Sequence, residues 1–169
     1  VLSVAGNYFY CKAMKKTVYI ETSIPSLYYE TRKDVISRGW RETTRIWWHQ
    51  RSNYYQMLTS AVVYDELNTG NHPFKVQKLA LIEHVEYLEH LPIIDDIAEF
   101  YIKNKLVPEE TGGDAYHLAY ASYYDVSFLL TWNCSHLANP NKFQHIHTVN
   151  ARLNLSTPIL CTPEQLLAE

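Results

Sequence analysis

Apolar and polar positions along this chain switch between a strand-like and a helix-like period, and the switches outline its elements. Thr17-Val18-Tyr19-Ile20 is β-branched and aromatic and predicts a short buried strand. From about residue 34 to 52 the period is helical, with Trp40, Thr44, Trp47 and Trp48 on one face. Residues 54–60 predict a second strand, and Ser60 is placed to cap a helix that carries Val62, Val63, Glu66 and Leu67 and stops at Gly70. Pro73 opens a helix expected to reach about Tyr87, residues 88–94 read as a short strand, and Asp95 leads a helix ending near Pro108. Gly112 and Gly113 then break the chain before a helix expected to open on Asp114. Behind that acid, Ala115, Ala119 and Ser122 form a narrow stripe of small side chains at i, i+4 and i+7, which lets a helix lie close to a sheet. Val126 to Thr131 is a continuous apolar run suited to a central parallel strand. A helix over 143–153, a strand over 158–161 and a terminal helix from Pro163 complete the pattern. Strands alternating with helices predict one α/β domain with a mainly parallel sheet.

Composition narrows the function classes. A chain of 169 residues, 47% hydrophobic and 20% charged, has enough apolar material for one packed core and excludes wholesale disorder. The net charge of -3 gives no global attraction to nucleic acid, so RNA or DNA binding needs a local basic patch or a metal ion. Arg38, Arg41 and Arg45 supply such a patch on the second face of the 34–52 helix. Beside tryptophans they suit an RNA backbone, and they equally suit an acidic partner protein or a plain solvated face. Cys11, Cys134 and Cys161 form no C-x-x-C pair, which argues against a disulfide framework or structural zinc and for a reducing compartment. No apolar run approaches the roughly 20 residues that span a bilayer, and the first residues lack signal-peptide character, so a cytoplasmic location without a membrane partner is expected. Residues 1–13 differ in character from the rest of the chain, and Met14-Lys15-Lys16 looks like a natural start. The first 13 residues are therefore expected to be a peripheral extension, with 14–169 as the domain.

The candidate chemistry lies at the ends of the expected strands. Glu21 follows the first strand, with the hydroxyls of Thr22 and Ser23 next to it, where open α/β sheets place ligands. Asp114 starts a helix, where a carboxylate meets the positive end of the helix dipole, and Asn133 follows another strand. In a right-handed parallel sheet, strand C-termini and helix N-termini share one edge, and Glu66 can reach that edge from its helix. Three carboxylates with hydroxyls and an amide make an oxygen-rich site suited to Mg²⁺ or Mn²⁺ and to phosphodiester hydrolysis. Taken singly, Glu21 also reads as an exposed strand-end residue and Asp114 as the cap of a packed core helix. His117, one turn after Asp114, is expected on the outer side of its helix, and His136 lies near the site; His145 and His147 do not share a helix face.

Val18 to Ser23, Ser60 to Leu67, Gly113-Asp114-Ala115 through Ala121, and Leu129 to Asn133 together resemble the ordered motifs of the PIN domain, nearest in flavour to the VapC-type toxins. The resemblance covers nearly everything from Met14 onward. It implies a three-layer α/β/α sandwich and a metal-dependent endoribonuclease, commonly a homodimer and neutralised by an antitoxin protein. Carried over by position, Glu21, Glu66 and Asp114 hold Mg²⁺ or Mn²⁺ and, with Asn133, form the catalytic set. Thr22, Ser23 and Thr131 position water or substrate. The chain departs from the family twice: Glu21 stands where the first Asp is usual, lengthening the side chain by one methylene, and Asn133 stands at the fourth acidic position. Those departures motivate an alternative, a catalytically weak PIN-like module that binds RNA or protein. A phosphohydrolase acting on small esters is disfavoured, because no Asp-x-Asp motif follows a strand.

Overall fold

Strand alternation decides which side chains of this sheet meet which helices. The computed structural model describes residues 15–167, so the expectation for residues 1–13 lies outside the described residues. It has strands β1 (Thr17–Ile20), β2 (Gln56–Thr59), β3 (Glu86–Tyr87), β4 (Phe128–Leu130) and β5 (Ile159–Cys161). They pair in the order β3-β2-β1-β4-β5, all parallel, as expected. The chain winds outward from β1 to β3 and then restarts on the other side of β1 with β4. The reversal point is thus the crevice at the C-terminal ends of β1 and β4, the place where doubly wound sheets accommodate ligands.

The helices are α1 (Ser23–Tyr28), α2 (Val35–Gln50), α3 (Ala61–Asn68), α4 (Lys75–Ile82), α5 (Pro92–Lys103), α6 (Gly112–Tyr123) and α7 (Phe143–Arg152). Because successive strand residues face opposite ways, Val18, Ile20, Phe128 and Leu130 pack with Ile24 and Leu27 of α1 and Trp47 of α2. Tyr19, Leu58, Leu129 and Leu160 pack on the other face with residues of α3, α5, α6 and α7. Two cores on opposite sheet faces are consistent with three layers. Among the described residues, no helix is long and apolar enough to cross a membrane.

Several expected boundaries move. The helix expected over 73–87 starts at Lys75, after Phe74 in the left-handed region (φ 60°), and ends at Ile82. The strand expected over 88–94 is instead β3 at Glu86–Tyr87, paired with Leu58 and Thr59. Pro92 is the reason: it lacks an N–H for a sheet ladder but fits the first turn of a helix, so α5 begins there and not at Asp95. Residues 163–167 form turns rather than a terminal helix. Helix α6 opens at Gly112, so its two glycines belong to the first turn and do not break the chain before it.

Candidate functional site

Glu21 directly follows β1, and its backbone N–H donates to the Leu130 carbonyl at 3.2 Å, which carries the sheet pairing up to the site. Its side chain is almost fully buried. Oε2 accepts from the Ser23 hydroxyl, the Ser23 N–H (3.0 Å) and the Thr131 hydroxyl (2.8 Å). Ser23 also accepts from the Trp132 N–H at 2.8 Å, and Thr131 accepts from the Asn133 N–H at 2.9 Å. Hydroxyls from the starts of α1 and of the segment after β4 therefore hold one oxygen of Glu21. The other oxygen, Oε1, lies 3.8 Å from His117 Nε2.

Glu66 arrives from the second turn of α3. Its Oε2 accepts from the Thr22 hydroxyl and lies 3.2 Å from His117 Nε2. Thr22 and Ser23, expected to position water or substrate, make no side-chain cap on α1 and direct their hydroxyls to the two glutamates. Ser60 likewise occupies the N-cap position of α3, but its hydroxyl pairs with Tyr19 Oη at 2.6 Å and not with the helix.

His117 corrects the sequence expectation most. It does not lie on the outer side of α6: it is 1% exposed and stands between the two glutamates. Asp114 and His117 are separated by three residues, so both project from one helix face toward the sheet edge. That spacing was the available signal. Nδ1 of His117 lies 3.0 Å from Tyr19 Oη. Donor atoms of Glu21, Glu66 and His117 all fall within 4.8 Å of one another. Burial alone pulls the imidazole pKa down, but the bond to Glu66 and the charges of Glu21, Glu66 and Asp114 outweigh it, and the net direction is upward. For Glu66, burial raises the carboxyl, and His117 and Thr22 more than offset it, so the net shift is downward.

Asp114 reaches the same edge but is engaged on its far side. Asn133 Nδ2 donates to both carboxylate oxygens at 3.0 and 2.9 Å, and His136 Nδ1 lies 3.1 Å from Oδ2. Asn133 Oδ1 in turn accepts from the His136 N–H at 3.1 Å. The expected set of Glu21, Glu66 and Asp114 is thus brought to one edge, but in two groups: Glu21-Glu66-His117 and Asp114-Asn133-His136. The arginines lie elsewhere and differ among themselves. Arg41 donates to Glu42 and to the Glu30 carbonyl, Arg45 donates to the Tyr28 carbonyl and covers the Tyr28 ring, and Arg38 is exposed. Two of the three therefore tie α2 to the end of α1.

Gly113 has a specific reason to lack a side chain. A Cβ built there would overlap Glu66 Oε1. Alanine at this position is expected to push the Glu66 carboxylate out of place while leaving the fold intact, since the obstructed atom ends a flexible side chain. Gly→Ala in a helix is worth up to about 1 kcal/mol of stabilisation. The expected result for Gly113→Ala is an unchanged or higher melting temperature with Mn²⁺ affinity reduced about tenfold, as for changes that misorient a ligand. Calorimetry on the two proteins checks it, and equal Mn²⁺ affinity would contradict the role given to Glu66.

Compared with known proteins, the chain matches no family model and no curated sequence significantly.

Proposed function

We propose that this protein is a metal-dependent endoribonuclease of PIN type. The observation that carries the reading is the convergence of Glu21, Glu66 and His117, with donor atoms within 4.8 Å, at the reversal point of an all-parallel sheet. Two carboxylates and one imidazole, which gives up its Nε2 proton when an ion binds, form a donor set that fits a divalent first-row ion, and the nitrogen favours Mn²⁺ over Mg²⁺. A bound ion supplies Lewis-acid polarisation of a phosphoryl oxygen and screening of the backbone charge.

The chain's own groups supply the rest. Glu21 and Glu66 provide negative charge, and Ser23 and Thr131 fix Glu21 by its inner oxygen so that Oε1 faces His117. Ligation through His117 Nε2 requires the proton to sit on Nδ1. Tyr19 Oη is placed to accept it while donating its own hydrogen to Ser60. Asp114, held by Asn133 and His136, adds a third carboxylate at the same edge.

The test is cleavage of single-stranded and structured RNA with Mn²⁺, beside Asp114→Asn. The expected result is Mn²⁺-dependent cleavage that falls at least about tenfold in the variant, the scale on which one positioned group contributes. Equal rates would sink the assignment. A second reading, a binding module with weak catalysis, is favoured by one observation: both Asp114 oxygens are already satisfied by Asn133 and His136. Calorimetry showing no Mn²⁺ uptake, together with retained RNA association, would select it. A toxin role with an antitoxin partner and a homodimer is part of the proposal through the family resemblance only.

A further inference from the structure

A cleft of about 450 Å³ opens beside the acidic edge. It is lined by Glu21 and Asn133 of that edge and by Trp132, Trp40, Arg32 and Lys78. We propose that this cleft seats the nucleotide next to the scissile phosphate of a single-stranded RNA, with its base against Trp40 and a phosphate at Lys78. The inference rests on the nuclease reading of the acidic edge and adds which part of the substrate is held and by what.

Trp132 is buried at the cleft floor, where its Nε1 donates to Thr44 at 2.8 Å. Trp40 is half-buried and stacks on Trp132, with ring centroids 5.4 Å apart and 28° between planes. The pair is thus a rigid aromatic platform that also lines open space, the arrangement on which unpaired bases stack regardless of sequence. Charge is arranged to tolerate a phosphate. Glu30 also lines the cleft. Arg32 covers it with Nε and Nη2 at 2.9 and 2.7 Å, and these bonds, partly opposed by burial, hold its carboxyl down at about 2. With Glu30 matched by Arg32, the half-buried ammonium of Lys78 is the cation this lining offers to a phosphate. Burial lowers the Lys78 pKa, partly opposed by Glu30, so a further anion there would be favourable. The cleft lies in the ~300–1,000 Å³ range of small-ligand sites, which suits one nucleotide and not a duplex.

The experiment measures anisotropy of a short fluorescein-labelled single-stranded RNA in EDTA, so that no turnover occurs. The competitors are a hairpin of the same composition and a short acidic peptide. The expected result is preference for the single strand, about tenfold weaker binding by Trp40→Ala, and recovery in Trp40→Phe. Lys78→Ala should lower the slope of log K against log salt by about 0.7. The inference is overturned if the variants bind like wild type, if the hairpin binds as well as the single strand, or if only the acidic peptide is sensitive to them. Cleavage assays separate the two readings. Metal-dependent cleavage with variant-insensitive binding defeats this inference alone, whereas variant-sensitive binding without cleavage keeps the seat for base and phosphate but defeats the nuclease and, with it, the placement beside a scissile bond.

Discussion

On the proposed nuclease function, replacing His117 with alanine is expected to reduce Mn²⁺-dependent RNA cleavage by about 100-fold, equivalent to about 2.7 kcal/mol of barrier. His117 supplies the sole nitrogen of the Glu21-Glu66-His117 group, and its loss would also leave two carboxylates facing each other without the group that now separates them. The change has a structural cost as well. Tyr19 Oη would keep Ser60 but lose the imidazole, and one lost hydrogen bond costs about 0.5–1.5 kcal/mol. His117→Gln, which can still meet Tyr19, separates the effects: stability should largely return while Mn²⁺ preference over Mg²⁺ is lost. Calorimetry with each ion, with rates measured alongside, checks this. Full activity of His117→Ala with an unaltered ion preference would remove the imidazole from the site.

The second large effect lies away from the acidic edge. Asn150 of α7 is fully buried, and its Nδ2 donates to Ser122 (3.0 Å), the Ser156 carbonyl (2.8 Å) and Thr157 (3.2 Å). Its Oδ1 accepts from the Tyr101 hydroxyl. One side chain therefore joins α5, α6, α7 and the segment leading into β5. Asn150→Leu keeps the approximate volume but strands these partners together, and a buried network loses more than one bond when its centre is removed. The expected destabilisation is about 3 kcal/mol, or a drop of roughly 6–12 °C in melting temperature for a chain of this size. Adding Tyr101→Phe should return part of the loss, because it removes one stranded hydroxyl. Denaturant melts of the two variants decide it, and a loss below about 1 kcal/mol would show that water replaces the amide.

The difference between these two sites explains what could be read from residue order. The apolar runs of β1, β4 and β5 and the long amphipathic α2 carry their own period, so the parallel α/β plan was legible. Glu21 and Asp114 were legible as edge residues because strand ends and helix starts are local features. His117 was misread because α6 is buried on nearly every side, as shown by His117, Leu118, Ala119, Tyr120, Ala121 and Ser122 in succession, and a helix without an outer face offers no period to locate a histidine. The pairing of Asp114 with Asn133 was also hidden, since it depends on rotamers and on contacts between distant segments. The hydroxyl of Ser60 reads as a helix cap because capping is its commonest local use; Tyr19 claims it instead.

The placement of β1 at the reversal point also governs when the protein becomes itself during synthesis. β1 is made first, but contacts such as Thr131 to Glu21 close a separation of 110 residues. Long-range parallel pairing must meet its loop-closure entropy before it gains contact energy, which makes such sheets slow to form. A nascent chain that ends before residue 128 has β1 and β2 but lacks the strand on the other side of Glu21, and with it Thr131 and Asn133. The acidic edge therefore cannot be completed until β4 and the residues after it have been made, and a shorter chain has Glu21 held by Ser23 but not by Thr131.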